Sequence, residues 1–211
     1  MKKQKFVFAT MFIINANLFQ CELQKNQKNV NKYSHLTLMK KIQNIELHYA
    51  ALSGNIKCLI YAHEVIQATD VRNLTLCNAA KSGSLECLIY AHNIIKAKDN
   101  NWTLCCAARS GNIFCLKYAH KIIKAIDGNN WTLCNAASSG SLDCLKYAHK
   151  VIQARDIYNE ILYYAEKGGS LECIEYAHNV IKAIDFYNYT LNCAEKGGSF
   201  DCIEYCKKHF V

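Results

Sequence analysis

Proline is absent from the 211 residues and glycine occurs only nine times. Collagen-like, proline-rich and flexible-linker architectures are thereby excluded, since each is built from those residues. Long apolar runs are missing too. The longest, Phe6 to Ile14, is far short of the ~20 residues a membrane-spanning helix needs, so membrane insertion is not expected. Excess charge is scarce once its location is considered. Of the net +8, residues 1–43 supply +7, from eight lysines against Glu22 alone, and residues 44–211 are balanced to within +1. Phosphate recognition needs a clustered positive surface, so nucleic acid is not an expected partner of the main body.

What the chain does have is apolar material and thiols. Hydrophobic residues make up 51% and charged residues 20% of the sequence, a balance that supports a packed core. Cysteine occurs thirteen times, which raises the question of disulfide, metal or plain packing.

A repeat answers much of that question. Gly54, Gly83, Gly111, Gly140, Gly169 and Gly198 are separated by 29, 28, 29, 29 and 29 residues, with similar wording around each. Residues 74–92 read LTLCNAAKSGSLECLIYAH and residues 131–149 read WTLCNAASSGSLDCLKYAH. An aspartate follows each of the first five glycines by sixteen residues: Asp70, Asp99, Asp127, Asp156 and Asp185. The chain therefore divides into a signal-like or flexible leader (1–20), a polar linker (21–44) and six repeats of about 29 residues (45–211).

Each repeat reads as two helices. Leu76, Ala79 and Ala80 form an apolar stripe on a short first helix, which stops at Gly83, a residue suited to the left-handed C-terminal position. Ser84 suits an N-cap, and Glu86 sits in the first turn of the second helix, where the helix dipole favours negative charge. In the third repeat the second helix is expected to put Cys115, Leu116, Ala119, Ile122, Ile123 and Ile126 on one buried face, with Lys117, Lys121 and Lys124 pointing away. A helix pair this small cannot hide its apolar face alone, whereas stacked copies can. The expected fold is all-α, an α-solenoid of six stacked helix-turn-helix repeats with a basic N-terminal leader.

The stretch WTLCCAARSGNIFCLKY, Trp102 to Tyr118, resembles the ankyrin repeat, whose pattern runs T-P-L-H-x-A-A-x-x-G before a second, aliphatic helix. Leu104, Ala107, Ala108 and Gly111 match. Trp102-Thr103 replaces Thr-Pro, and Cys105 replaces the motif histidine, which only the first repeat keeps, as His48. The repeats are also shorter than the ankyrin average of about 33 residues, at the place where ankyrin proteins carry a β-hairpin finger. The wording is similar to divergent ankyrin repeats of large DNA viruses, protists and their bacterial associates. The resemblance implies a protein-binding module, with host proteins among its expected partners.

Candidate chemistry is weighed against this repetition. His63, His92, His120, His149 and His178 recur once per repeat, and packed helices lie roughly 10 Å apart, too far for neighbours to share a zinc ion. They are expected to bond adjacent repeats. Cys87 and His92 do not face each other on their helix, so cysteine-histidine nucleophilic catalysis is not expected. The rows Cys58, Cys87, Cys115, Cys144, Cys173, Cys202 and Cys77, Cys105, Cys134 read as small core hydrophobes, each row too widely spaced for disulfides. Cys202, Cys206 and His209 share a face of the last helix and are the one zinc candidate, but their positions are core-facing in other repeats. No catalytic, cofactor or metal residue is assigned, and the chain is read as no enzyme.

The expected function is a non-catalytic protein-protein interaction scaffold or adaptor, monomeric, using exposed positions of its short helices. Lys81, Arg109, Ser138 and Lys167 differ at one position of successive repeats, and Trp102 and Trp131 are aromatic anchor candidates. The partner-binding set is thus Trp102, Trp131, Lys81, Arg109 and Lys167, the tryptophans having groove-filling as their structural alternative. The alternative function is an assembly element stacking end to end on itself or on another repeat protein. Lys96, Lys98, Lys121, Lys124, Lys150 and Lys182 form an outer basic ridge, read as a solvated face. Lys2, Lys3 and Lys5 before Phe6 to Ile14, with Ala16 beyond, have the layout of a secretory signal peptide. Against export, thiol-rich repeats suit a reducing compartment, which tips the expectation to the cytoplasm, a host's included.

Overall fold

A computed structural model of the chain describes residues 47–70, 72–128, 130–185, 190 and 200–210. The leader, the linker, and the residues expected to form the first helix of the sixth repeat, Gly198 included and Thr190 excepted, lie outside the described residues. Every regular element among those described is helical. In chain order the α-helices are α1 (Leu47–Leu52), α2 (Ile56–Ile60), α3 (Thr75–Lys81), α4 (Leu85–Asn93), α5 (Thr103–Arg109), α6 (Ile113–Tyr118), α7 (Thr132–Ser138), α8 (Leu142–Tyr147), α9 (Ile161–Lys167), α10 (Leu171–Asn179) and α11 (Phe200–His209), and short π-helical turns follow α2, α6 and α8. None is long and apolar enough to cross a membrane.

The short helices α1, α3, α5, α7 and α9 lie side by side, and each is followed by a second helix packed against it. Ala79, Ala80, Ala107, Ala108, Ala136 and Ala137 are fully buried, as are Leu88, Leu116 and Leu145 of the second helices. The absence of bulk at the alanines is what lets one short helix approach the next. Gly54, Gly83, Gly111, Gly140 and Gly169 end the short helices with φ of +68 to +74°, a conformation a side chain resists. Ser84, Ser141 and Ser170 then cap the second helices, accepting hydrogen bonds from the amides of Cys87, Cys144 and Cys173.

The repeated aspartates start the following short helix. Asp127 Oδ1 accepts from the Trp131 and Thr132 amides at 3.1 and 3.3 Å, and Asp70 does the same for Leu74 and Thr75. Where the loop is one residue shorter this reach is lost. Asp99 then caps the Asn101 amide, while Asn100 takes the amide of Trp102.

The second helices depart from the expected stripe. Ile122 and Ile126 are exposed, at 56% and 60%, and Ala125 is buried instead. The backbone widens into a π-helix over Ala119–Ile123, then turns left-handed at Lys124 with φ +58°. The Ala125 amide closes this end by donating to the Ala119 carbonyl at 3.0 Å. Gln67, Lys96, Gln153 and Lys182 make the same turn in other repeats. This is a Schellman-type end built on residues other than glycine. Replacing Lys124 by Gly is therefore expected to stabilise the fold by about 0.5–1 kcal/mol, because relief of left-handed strain exceeds the added chain entropy. Chemical denaturation showing a loss of stability in Lys124→Gly would contradict this.

Candidate partner-binding groove

Histidine and tyrosine link the second helices. The Nδ1 atoms of His63, His92, His120, His149 and His178 lie 2.9–3.1 Å from the hydroxyls of Tyr90, Tyr118, Tyr147, Tyr176 and Tyr205, one repeat further on. The rings of each pair meet edge to face at 5.8–6.0 Å. Each imidazole is thus engaged by a phenol of the next repeat, as expected of a structural ladder. Asn112 adds a further tie, its Nδ2 donating to the Gly83 carbonyl at 2.8 Å.

The zinc candidate does not assemble. Cys202 and Cys206 are fully buried, but His209 is exposed and lies against Tyr205 at a ring distance of 4.3 Å. The expectation that all three face the core fails for His209, because this position is exposed in the other repeats as well, as Ile94, Ile122, Val151 and Val180 show. Among the described residues no cluster of three or more histidine, cysteine or acidic side chains is placed to hold a metal. Burial raises the Cys206 thiol to about 12, helped by the Glu166 charge. In the first cysteine row Cys87, Cys115, Cys144, Cys173 and Cys202 are fully buried, whereas Cys58 is half-buried.

The surface of the short helices carries a concavity of about 360 Å³, lined by Lys81, Trp102, Cys105, Cys106, Arg109, Trp131, Asn135 and Tyr164. Four of the five residues expected to bind a partner meet there. The fifth, Lys167, is not part of the lining; its ammonium lies 6.0 Å from the centroid of the Tyr164 ring. Lys81, Arg109 and Lys167 are exposed, whereas Ser138, the fourth member of their series, is half-buried.

The two tryptophans divide between the roles foreseen for them. Trp102 is 47% exposed. Trp131 is half-buried, stacked on Tyr158 at 5.2 Å and edge-on to Tyr164 at 5.6 Å, so it joins the fourth repeat to the fifth while showing one side to the groove. Tyr164 and Asn135 were not singled out in the sequence. Both stand one residue past the cysteine row, and the only signal for them is that this position varies among repeats.

A second concavity, about 390 Å³, lies among the loops of the fourth and fifth repeats and includes Gln153, Arg155, Asn159 and Ile184. It gathers none of the expected residues. No family model matches the chain, and no curated protein is significantly similar to it.

Proposed function

We propose that this protein is an ankyrin-like α-solenoid of six repeats acting as a non-catalytic binding scaffold. The groove on its short helices would receive a protein segment that pairs carboxylates with an aromatic or aliphatic side chain. The observation that carries this reading is convergence: Lys81, Trp102, Arg109 and Trp131, chosen for exposure and variability, line one concavity. Cations at Lys81 and Arg109 suit carboxylates, Arg109 with the capacity for a bidentate pair. Trp102 offers an exposed anchor of the type that dominates protein interfaces. The residues shared by all repeats are occupied in holding repeats together, which leaves the variable positions for recognition.

Affinity capture with mass spectrometry tests it, comparing the wild type with Trp102→Ala and with the double variant Lys81→Glu, Arg109→Glu. Both variants are expected to lose the same set of captured proteins, with affinity lowered about 30-fold or more if Trp102 is an anchor. Capture unchanged in both variants would remove the groove from the binding site.

A further inference from the structure

The repeated cysteines are packing groups, but one thiol breaks the pattern. Cys106 stands where the first, second, fourth and fifth repeats carry Tyr49, Asn78, Asn135 and Tyr164. Its Sγ lies 2.7 Å from Sγ of Cys77 on the neighbouring short helix. That is about 0.7 Å beyond a disulfide bond length. The described cysteines of the two equivalent rows are free thiols. This pair differs in that its members come from different positions of the two repeats.

We propose that Cys77 and Cys106 are a peroxide-responsive thiol pair, closing to a disulfide that staples the second repeat to the third. Cys106 is half-buried and lines the groove, so a small oxidant reaches it from solvent, while Cys77 lies beneath at 7% exposure. Lys81 and Arg109 line the same groove and favour a thiolate. The neighbouring thiols of Cys105 and Cys77, then these two cations, hold the Cys106 thiol well below its ordinary value. The same contacts raise Cys77 and Cys105, keeping both protonated.

The reaction balances with one hydrogen peroxide. The Cys106 thiolate attacks a peroxide oxygen, the O–O bond breaks, and hydroxide leaves, taking up a proton to become water. The product is a sulfenic acid at Cys106. The Cys77 sulfur then attacks the Cys106 sulfur, the S–O bond breaks, and hydroxide departs with the Cys77 proton as a second water. Two thiols are oxidised by two electrons and one peroxide is reduced to two waters. Cys105 is poorly placed to compete. It adjoins Cys106 in one helix, where successive side chains diverge by about 100°, and its thiol donates to the Trp102 carbonyl at 3.1 Å.

The test uses the full chain with no partner present, so it reads the thiols whether or not the groove binds a protein. Reduced protein is treated with one equivalent of hydrogen peroxide, its free thiols are alkylated, and it is digested with trypsin without reductant. Residues 73–81 are expected to emerge joined to residues 99–109. Cys105→Ala should retain the joined peptide, and Cys106→Asn, which installs the residue of the neighbouring repeats, should lose it. In untreated wild type, Cys106 should alkylate about tenfold or more faster than buried Cys87 or Cys144. Absence of the joined peptide, its persistence in Cys106→Asn, or equal alkylation rates would each overturn the proposal.

Discussion

Gly168→Ser is expected to destabilise the protein by about 2 kcal/mol or more, although serine is what the first four repeats carry at that position. In those repeats Ser53, Ser82, Ser110 and Ser139 close the short helix, each hydroxyl donating to a carbonyl three residues back at 2.7 Å. By repeat consensus alone, serine would read as an improvement. The interface between the fourth and fifth repeats forbids it. A Cβ on Gly168 would lie 2.6 Å from the Ala137 carbonyl oxygen and 3.0 Å from the Gly140 nitrogen, both main-chain atoms that cannot swing aside. At the preceding interfaces the serine Cβ fits, lying 3.5–3.6 Å from where a Cβ on the preceding repeat's glycine would stand. Gly169 supplies the control. It has φ +69° but open space around its absent Cβ, so Gly169→Ala should show only left-handed strain, about 1 kcal/mol. Urea denaturation of the two variants checks the order; equal losses, or none in Gly168→Ser, would refute the clash.

Glu166→Met is expected to stabilise the fold by about 1–3 kcal/mol at pH 8, with a smaller gain at pH 4. Glu166 occupies the position of Ala51, Ala80, Ala108 and Ala137, all fully buried, and is itself only 2% exposed. Neither carboxylate oxygen has a hydrogen-bond partner. Burial raises its pKa above the ordinary 4.5 because the charged form loses water without gaining a donor. The sign follows. Well below pH 4.5 the carboxyl is protonated both folded and unfolded, and proton linkage costs nothing. As the pH rises, the unfolded chain ionises first, so wild-type stability falls until the folded carboxyl has ionised too. Methionine has similar length and no charge, so its advantage widens across that window. Denaturation curves at the two pH values decide it; a gap independent of pH would show that the carboxyl is not desolvated as described.

Much of this architecture was legible in the residues. The period of 29, the paired alanines and the glycine stops predicted short helices ending at Gly83 and Gly111, and the structure has α3 and α5 in that place with both glycines left-handed. The histidine ladder was foreseen as inter-repeat bonding, because a group present in every copy cannot be a single site. The ends of the second helices were not legible. Stop signals are read from glycine and asparagine, and here lysine or glutamine takes the left-handed turn, supported by the hydrogen bond across it. Ile126 was accordingly assigned to the core when it lies outside. The candidate groove was legible as a set of residues but not as a shape, since Trp102 and Trp131 look alike in sequence and differ in what Tyr158 and Tyr164 place beside them.

The sequence by itself determined that the described repeats are helical and that the residues they share serve packing. Periodicity and small residues encode those properties locally, in every copy alike. Only the tertiary structure decided where copies cease to be equivalent: the close approach at Gly168, the stranded carboxyl of Glu166, and the meeting of Cys77 with Cys106. The first and last depend on close contacts between residues about a repeat apart, and the second on burial without a donor, all of which are set by the packing of whole helices rather than by the residue at any one position.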